Sequence, residues 1–268
     1  SVNCTGSKRL ATLASYLKVQ RMSLPLHLLL LAGAGEAREI AAMVADQSQI
    51  RVTASLHYPE RSMGPLAIPT RIGRFGGDDG FRRYLKGERI GAVLDVTHPF
   101  AIRVSTRTAR ICAELGMPYA QVLRPEWQPQ LEDNWVDVPD EASAAAVIPP
   151  VCKAFTTTGR ATLAGFRDMS AAHLFVRQLS DDGDQKEIKN VSYVFGVAPF
   201  SVEEEISLFQ QLDIDWLITR NSGGDAGRSK LDAARAMGLP VAMIRRPRQP
   251  EGPKLQTVQE ALDWVAAL

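Results

Sequence analysis

Cysteine is scarce in this chain. Only three occur in 268 residues, Cys4, Cys112 and Cys152. They are far apart, odd in number and form no CxxC pair, so neither a disulfide framework nor a zinc site is supported, and no metal is expected. A reducing, cytoplasmic setting is the expectation that follows. Charge of one sign is also lacking: 31 basic residues face 30 acidic ones, for a formal net charge of +1. Such a chain has no global field with which to hold a nucleic acid or an anionic membrane, so an anionic ligand must be met by local clusters. Long apolar runs are missing too. The longest, Leu28 to Ala34, falls far short of the roughly 20 residues that span a bilayer and has the length of a buried strand.

What is present is ordinary globular composition, 45% hydrophobic and 23% charged, at a length where one core tends to split into two domains. From Leu26 onward short apolar runs alternate with segments of helical period, the pattern of strand, helix, strand units and of a parallel sheet. Strands are expected at Leu28 to Ala32, Arg51 to Leu56, Ala92 to Asp95 and Tyr119 to Leu123, with helices over Ala37 to Ala45 and Ile102 to Leu115. Arg124 to Asp140, rich in Pro, Trp and acidic residues and without period, reads as a crossover between halves. The second half repeats the logic, with strands at Ala154 to Thr157, Leu174 to Arg177, Val191 to Phe195, Trp216 to Thr219 and Val241 to Ile244. Ser201 with Glu204 and Thr257 with Glu260 match the capping box and open helices. The polar stretch Ser180 to Lys189 reads as a solvated turn. The fold class expected is α/β: two doubly wound domains with mainly parallel sheets. Their bounds are residues 22–125 and 126–268, behind an extension over 1–21 that precedes a natural-looking start at Met22.

Four segments concentrate chemistry. The turn Gly33-Ala34-Gly35-Glu36-Ala37-Arg38 lies between the first strand and the first helix, where a dinucleotide pyrophosphate approaches backbone N–H groups and the positive end of a helix. The third glycine of GxGxxG is replaced by Arg38, so a plain tight turn stays open as an alternative. At the end of the second strand an NAD-preferring site usually carries an acidic residue for the ribose. Ser55, Arg61 and Ser62 stand there instead, which suits the 2′-phosphate of NADPH, although Arg61 as solvated surface charge is an equal reading. Asp95-Val96-Thr97-His98-Pro99-Phe100 sits at the carboxyl edge where open parallel sheets bind ligands. Asp95 is the candidate acid or water-orienter with His98 positioning it, against the plainer reading that Asp95 fixes the loop. In the second half, Thr156 to Arg160 and Arg220-Asn221-Ser222-Gly223-Gly224 through Lys230 are donor-rich loops after strands. The latter lacks the spacing of a Walker A loop, so nucleotide triphosphate hydrolysis is not supported.

Taken together, Leu31-Ala32-Gly33-Ala34-Gly35-Glu36-Ala37-Arg38, Asp95 to Ala101, Thr157 to Arg160 and Asn221 to Gly224 with Lys230-Leu231 resemble the motif set of the precorrin-6A reductases, in that family's order and over Leu26 to about Pro247. Ala32 and Ala34 stand where the family often has Gly and Thr. The resemblance implies two Rossmann-like doubly wound domains that exchange a strand, with a ligand cleft between them, and NADPH-dependent reduction of a tetrapyrrole, precorrin-6A, to precorrin-6B in cobalamin biosynthesis. Cofactor contacts would fall on Gly33, Ala34, Gly35, Glu36, Ala37, Ser55, Arg61, Ser62, Thr97 and Pro99. Substrate contacts would fall on Thr158, Gly159, Arg160, Arg220, Asn221, Ser222, Gly223 and Lys230, with Arg103, Arg107, Arg124 and Arg228 as further cations for its carboxylates. A monomer or small homo-oligomer with transient contacts to other pathway enzymes would be expected. The rival readings are an NADH-dependent cobalt-precorrin-6A reductase, a methyltransferase, for whose ribose Arg61 is a poor partner, and a non-catalytic two-lobed tetrapyrrole-binding protein.

Overall fold

The computed structural model describes residues 25–59, 64–169, 173–179 and 188–268. The extension 1–21, Arg61, Ser62 and most of the Ser180 to Lys189 turn lie outside the described residues. Two six-stranded sheets, all of whose pairings are parallel, organise the chain.

The first sheet is built on β1 (Leu26–Ala32), β2 (Ile50–Leu56), β3 (Thr70–Ile72), β4 (Ala92–Val96) and β5 (Tyr119–Val122). Helices α1 (Glu36–Val44), α2 (Gly77–Gly87) and α3 (Ile102–Glu114) connect them. β1 is apolar on both faces because both are covered. Leu28 and Leu30 pack with Ile40, Ala41 and Val44 of α1, while Leu29 and Leu31 meet Phe81 and Leu85 of α2 and Ile111 of α3. Each of these leucines contributes about 1.5–3 kcal/mol of burial, which is why a continuous run rather than an alternating one marks a central parallel strand. His27, inside that strand, is a satisfied core histidine: its ring nitrogens lie 2.8 Å from Glu88 O and 2.8 Å from Thr53 Oγ1.

The second sheet comprises β6 (Trp135–Val138), β7 (Lys153–Thr156), β8 (His173–Gln178), β9 (Val191–Phe195), β10 (Trp216–Arg220) and β11 (Val241–Ile244). It is covered by α4 (Glu141–Val147), a 3-10 helix (Arg160–Phe166), α5 (Val202–Leu212) and α6 (Ser229–Met237). Ser201 caps α5 through the reciprocal capping box with Glu204. The chain then returns: β12 (Lys254–Leu255) adds to β5 at the edge of the first sheet, and α7 (Val258–Ala266) places Ala261 and Val265 in the first core.

The strand orders are β12-β5-β4-β1-β2-β3 and β6-β11-β10-β7-β8-β9. One departure from the sequence expectations follows: the segment Arg124 to Asp140 is not a bare crossover, since Trp135–Val138 forms β6 and pairs with β11. Residues 254–266, beyond the expected bound near residue 125, pair and pack with the first sheet, so one strand of the second half is given to the first. A strand this short carries little periodicity, and its partner is remote in sequence. Among the described residues no helix is long and apolar enough to cross a membrane.

Candidate functional site

In each sheet the strand order reverses at one point, between β1 and β4 in the first and between β7 and β10 in the second. A crevice opens at the carboxyl ends of such neighbours because their connections leave to opposite sides. At the first, the turn after β1 is locked to the loop after β4: Ala34 N–H donates to Val96 O at 3.0 Å, and a Cβ on Gly33 would lie 3.4 Å from Thr97 Cα. Gly35 differs. Its backbone is right-handed helical, and among the described residues nothing lies within 4 Å of a Cβ built on it. No side chain caps α1, and the N–H groups of Gly35 and Glu36 have no backbone acceptor among the described residues. These open N–H groups at a helix start fit a phosphate diester.

At the second reversal Thr157 Oγ1 meets Thr219 Oγ1 at 2.8 Å, and Thr156, Thr158 and Thr162 form a separate chain of hydroxyls. The two reversals face one another across a cavity of about 330 Å³ lined by His98, Thr157, Thr158, Thr219, Arg220, Ser222 and Lys230. A neighbouring cavity of about 430 Å³ shares Thr157 and Lys230 and adds Gly159, Arg177, Phe200 and Glu205. Arg177 and Glu205 form a buried bidentate pair at 2.6 and 2.8 Å, which neutralises both and leaves Lys230 as the uncompensated cation there. The Lys230 ammonium donates to Gly227 O and lies 4.9 Å from the centre of the Trp127 ring. Burial pulls its pKa down to about 8.

His98 brings the first sheet's chemistry to the cavity. Its Nδ1 accepts from Phe100 N–H at 3.2 Å, which assigns the ring proton to Nε2. Burial first, then the nearby charges of Arg124, Arg220 and Arg246, push its pKa down to about 4, so it is a neutral hydrogen-bond donor at physiological pH. Asp95 does not line the cavity. Its side chain is wholly buried, with Oδ1 accepting from Thr97 N–H at 3.0 Å and Thr97 Oγ1 at 2.7 Å and Oδ2 from the Tyr119 hydroxyl at 3.0 Å. Asp95, expected as proton donor or water-orienter, here turns both oxygens to Thr97 and Tyr119 and shapes the Thr97 to Phe100 loop. Thr97, hydrogen-bonded to Asp95 and near Ser105, is likewise internal.

Other expected contacts divide between site and scaffold. Ala37 is buried in the core against α7, out of reach of a ligand. Glu36 takes a two-oxygen salt bridge from Arg124 Nη1 at 2.8 Å, and Arg124 Nε donates to Ser222 O and Gly223 O. That arginine is a strap between the two lobes rather than a free cation for substrate. Asn221 grips the crossover through Trp127, accepting its N–H at 2.8 Å and donating to its carbonyl at 2.9 Å. Gly223, at φ +69°, lies so close that a Cβ would be 2.0 Å from Pro125 O. Asn221 and Gly223 thus hold the chain crossing instead of facing a ligand. Arg220 donates to Glu141 and covers the Phe100 ring at 4.9 Å while still lining the cavity. Arg228 pairs with Asp232, Arg103 is exposed on α3, and the Arg107 guanidinium stacks near Phe81 at 4.7 Å. Arg160 opens the 3-10 helix, and Pro99 O accepts from Gln249. Ser55 is contacted by Arg71 of β3 at 2.7 Å.

Residues that the sequence did not single out are Arg246, whose buried guanidinium donates to Arg124 O and Ser222 O, the Arg177 and Glu205 pair, and Arg71. Arg246 reaches Arg124 across 122 residues and Arg177 reaches Glu205 across 28, while Arg71 meets Ser55 only through the pairing of β2 with β3; Thr157, inside a run of hydroxyls, carried a local signal.

Known proteins bear on this geometry directly. The family model described as precorrin-6x reductase CbiJ/CobK matches residues 27–266. A precorrin-6A reductase of Rhodococcus erythropolis is 36% identical over 245 residues, covering 90% of this chain and 98% of its own. One from Mycobacterium tuberculosis is 37% identical over 243 residues, with 90% and 97% covered. A cobalt-precorrin-6A reductase of Priestia megaterium is 27% identical over 250 residues, with 88% and 96% covered. The solved structure of a CobK precorrin-6A reductase superposes with a TM-score of 0.83 at 32% identity, over 90% of this chain and 96% of that one. Agreement in sequence and in the arrangement of both sheets, over nine-tenths of the chain, means that this chain belongs to the precorrin-6x reductase family.

Proposed function

We propose that the chain is a precorrin-6A reductase that takes hydride from NADPH and reduces the macrocycle of precorrin-6A to precorrin-6B in cobalamin biosynthesis. The observation that carries this reading is the meeting of two strand-order reversals across one cavity lined by His98, Arg220 and Lys230. The higher identity to the precorrin-6A relatives than to the cobalt-precorrin one supports the metal-free substrate.

The Gly33 to Glu36 turn would hold the cofactor pyrophosphate, with its open N–H groups and the unobstructed face of Gly35. NADPH, when bound, supplies the hydride. The second lobe's Thr157, Thr158, Ser222 and Lys230 hold the carboxylate-fringed macrocycle, and Arg220 lends positive potential. His98 orients it through Nε2–H, since a ring that remains neutral down to about pH 4 donates a hydrogen bond without releasing its proton. The proton that accompanies hydride comes from Lys230, an ammonium whose pKa of about 8 makes it an effective acid near neutrality. The strap of Glu36, Arg124 and Ser222 O keeps both lobes in register, which is what hydride transfer across a cleft requires.

The test is incubation of pure protein with precorrin-6A and either NADPH or NADH, with the cobalt-containing macrocycle run beside it, and mass analysis of the product. The expected product gains one hydride from NADPH and one proton from the Lys230 ammonium. Absence of reduced product with both nicotinamide cofactors overturns the proposal.

A further inference from the structure

Arg71 of β3 stands beside Ser55 of β2 in parallel register, at the carboxyl ends of the strands farthest from β12. Its guanidinium is fixed. Nη1 donates to Ser55 Oγ at 2.7 Å and Gly73 O at 2.9 Å, Nη2 donates to Arg74 O at 3.2 Å, and the group lies 4.0 Å from the centre of the Phe75 ring. All these acceptors are neutral. No carboxylate pairs with Arg71 among the described residues, in contrast to Arg110, Arg124, Arg177 and Arg235, each of which has one. Nε makes no hydrogen bond there, and Nη2, which shares the side-on edge with it, makes the one to Arg74 O, so Nε–H and one Nη2–H stay open. A planar cation held rigid by uncharged groups, with Nε–H and one Nη2–H open, is preorganised for a phosphate or carboxylate that accepts from both.

Position says which anion. In dinucleotide-binding sheets the end of the second strand reads the 2′ substituent of the adenosine ribose, by an acidic residue for a hydroxyl or an arginine for a phosphate. Here that end holds the Ser55 hydroxyl with Arg71 bonded to it, and among the described residues no acidic side chain bonds to either. We propose that Ser55 and Arg71 form a binding subsite for the ribose 2′-phosphate of NADPH, with Arg71 the residue that distinguishes NADPH from NADH. This rests on the nicotinamide-cofactor reading above, and it moves the discriminating arginine from the loop after β2 to the next strand. The Gly73 and Arg74 carbonyls set the guanidinium plane, and the Phe75 ring beneath it blocks one face, so the open edge is the one a phosphate can use.

Calorimetry of wild type, Arg71→Ala and Arg71→Gln with NADPH, NADH and adenosine 2′,5′-bisphosphate tests the assignment, with melting temperature measured for each. Wild type is expected to prefer NADPH. Arg71→Ala should lose roughly 10- to 100-fold in affinity for NADPH and for the bisphosphate, the range of a charge-assisted hydrogen bond, while NADH binding stays unchanged. Arg71→Gln keeps a donor for Ser55 but no charge and must show the same selective loss, which guards against a folding defect in the alanine variant. Equal weakening of NADPH and NADH, or a preference for NADPH that survives in both variants, overturns the role of Arg71 and leaves the cofactor reading standing. A wild-type protein that binds NADPH and NADH equally overturns the cofactor reading, and the subsite falls with it.

Discussion

Gly35 gives the sharpest separation of a binding role from a structural one. Most functional glycines are confounded because a side chain would also strain the backbone, but Gly35 has φ −58° and ψ −36° and no atom of the described residues within 4 Å of its ideal Cβ. Gly35→Ala should therefore leave the fold intact and, by restricting the unfolded chain, leave stability unchanged or raise it by up to about 1 kcal/mol. The added methyl occupies the space over the start of α1 where the pyrophosphate is expected, and crowding of that kind costs about 1–3 kcal/mol. NADPH affinity should then fall roughly 5- to 150-fold at 25 °C, and further for Gly35→Val. Gly223→Ala is the contrasting control. With φ +69° and a Cβ 2.0 Å from Pro125 O, it should lower the melting temperature severely, because both strain and a backbone clash oppose it. The assay is paired calorimetry and thermal melting. Gly35→Ala and Gly35→Val proteins that bind NADPH as tightly as wild type would refute the reasoning and reduce the turn to a plain connection.

Three further outcomes are expected. Asp95→Asn places an amide group among the Thr97 and Tyr119 donors, so it should cost about 1–3 kcal/mol of stability without altering the shape of the pH profile of hydride transfer; a changed profile at unchanged stability would restore Asp95 as an acid. His98, held neutral to about pH 4 against an ordinary 6.5, binds fewer protons folded than unfolded between those values. Stability should thus fall as pH drops from 6.5 toward 4, by roughly 3 kcal/mol at most, and denaturant titration of His98→Gln should lack that slope. Lys230 carries its proton below about pH 8, so single-turnover reduction should slow above that pH in wild type, whereas Lys230→Met should be slow throughout with no such limb; a rate in the variant equal to wild type would remove Lys230 from the chemistry.

Much of the architecture was legible in the residues alone because parallel strands that are buried on both faces need continuous apolar runs, as in Leu28 to Leu31, Ala92 to Leu94 and Val241 to Ile244. The glycine turn after β1, the Asp95 to Ala101 loop and the hydroxyl run at Thr156 to Thr158 also announced themselves, since each sits directly after such a run. These are local properties: a strand's burial and the turn that follows it are written in a dozen consecutive residues. What tertiary structure decided was the allegiance of residues whose partners are remote. A two-residue strand such as β12 has no period to read, and it joins the first sheet only because Gln121 and Leu123 offer N–H groups to Pro253 O and Leu255 O. Asp95, an acid by type and position, became part of the scaffold because Tyr119 folds back onto its second oxygen. Arg124 and Asn221, charged and polar groups in the expected binding loops, went to the crossing between lobes. Arg71, unremarked within Thr70 to Ile72, reached the end of β2 through strand pairing. A side chain's chemistry is fixed by its type, but whether its hydrogen bonds face a ligand or another part of the chain depends on which distant groups the folded sheets bring within about 3 Å.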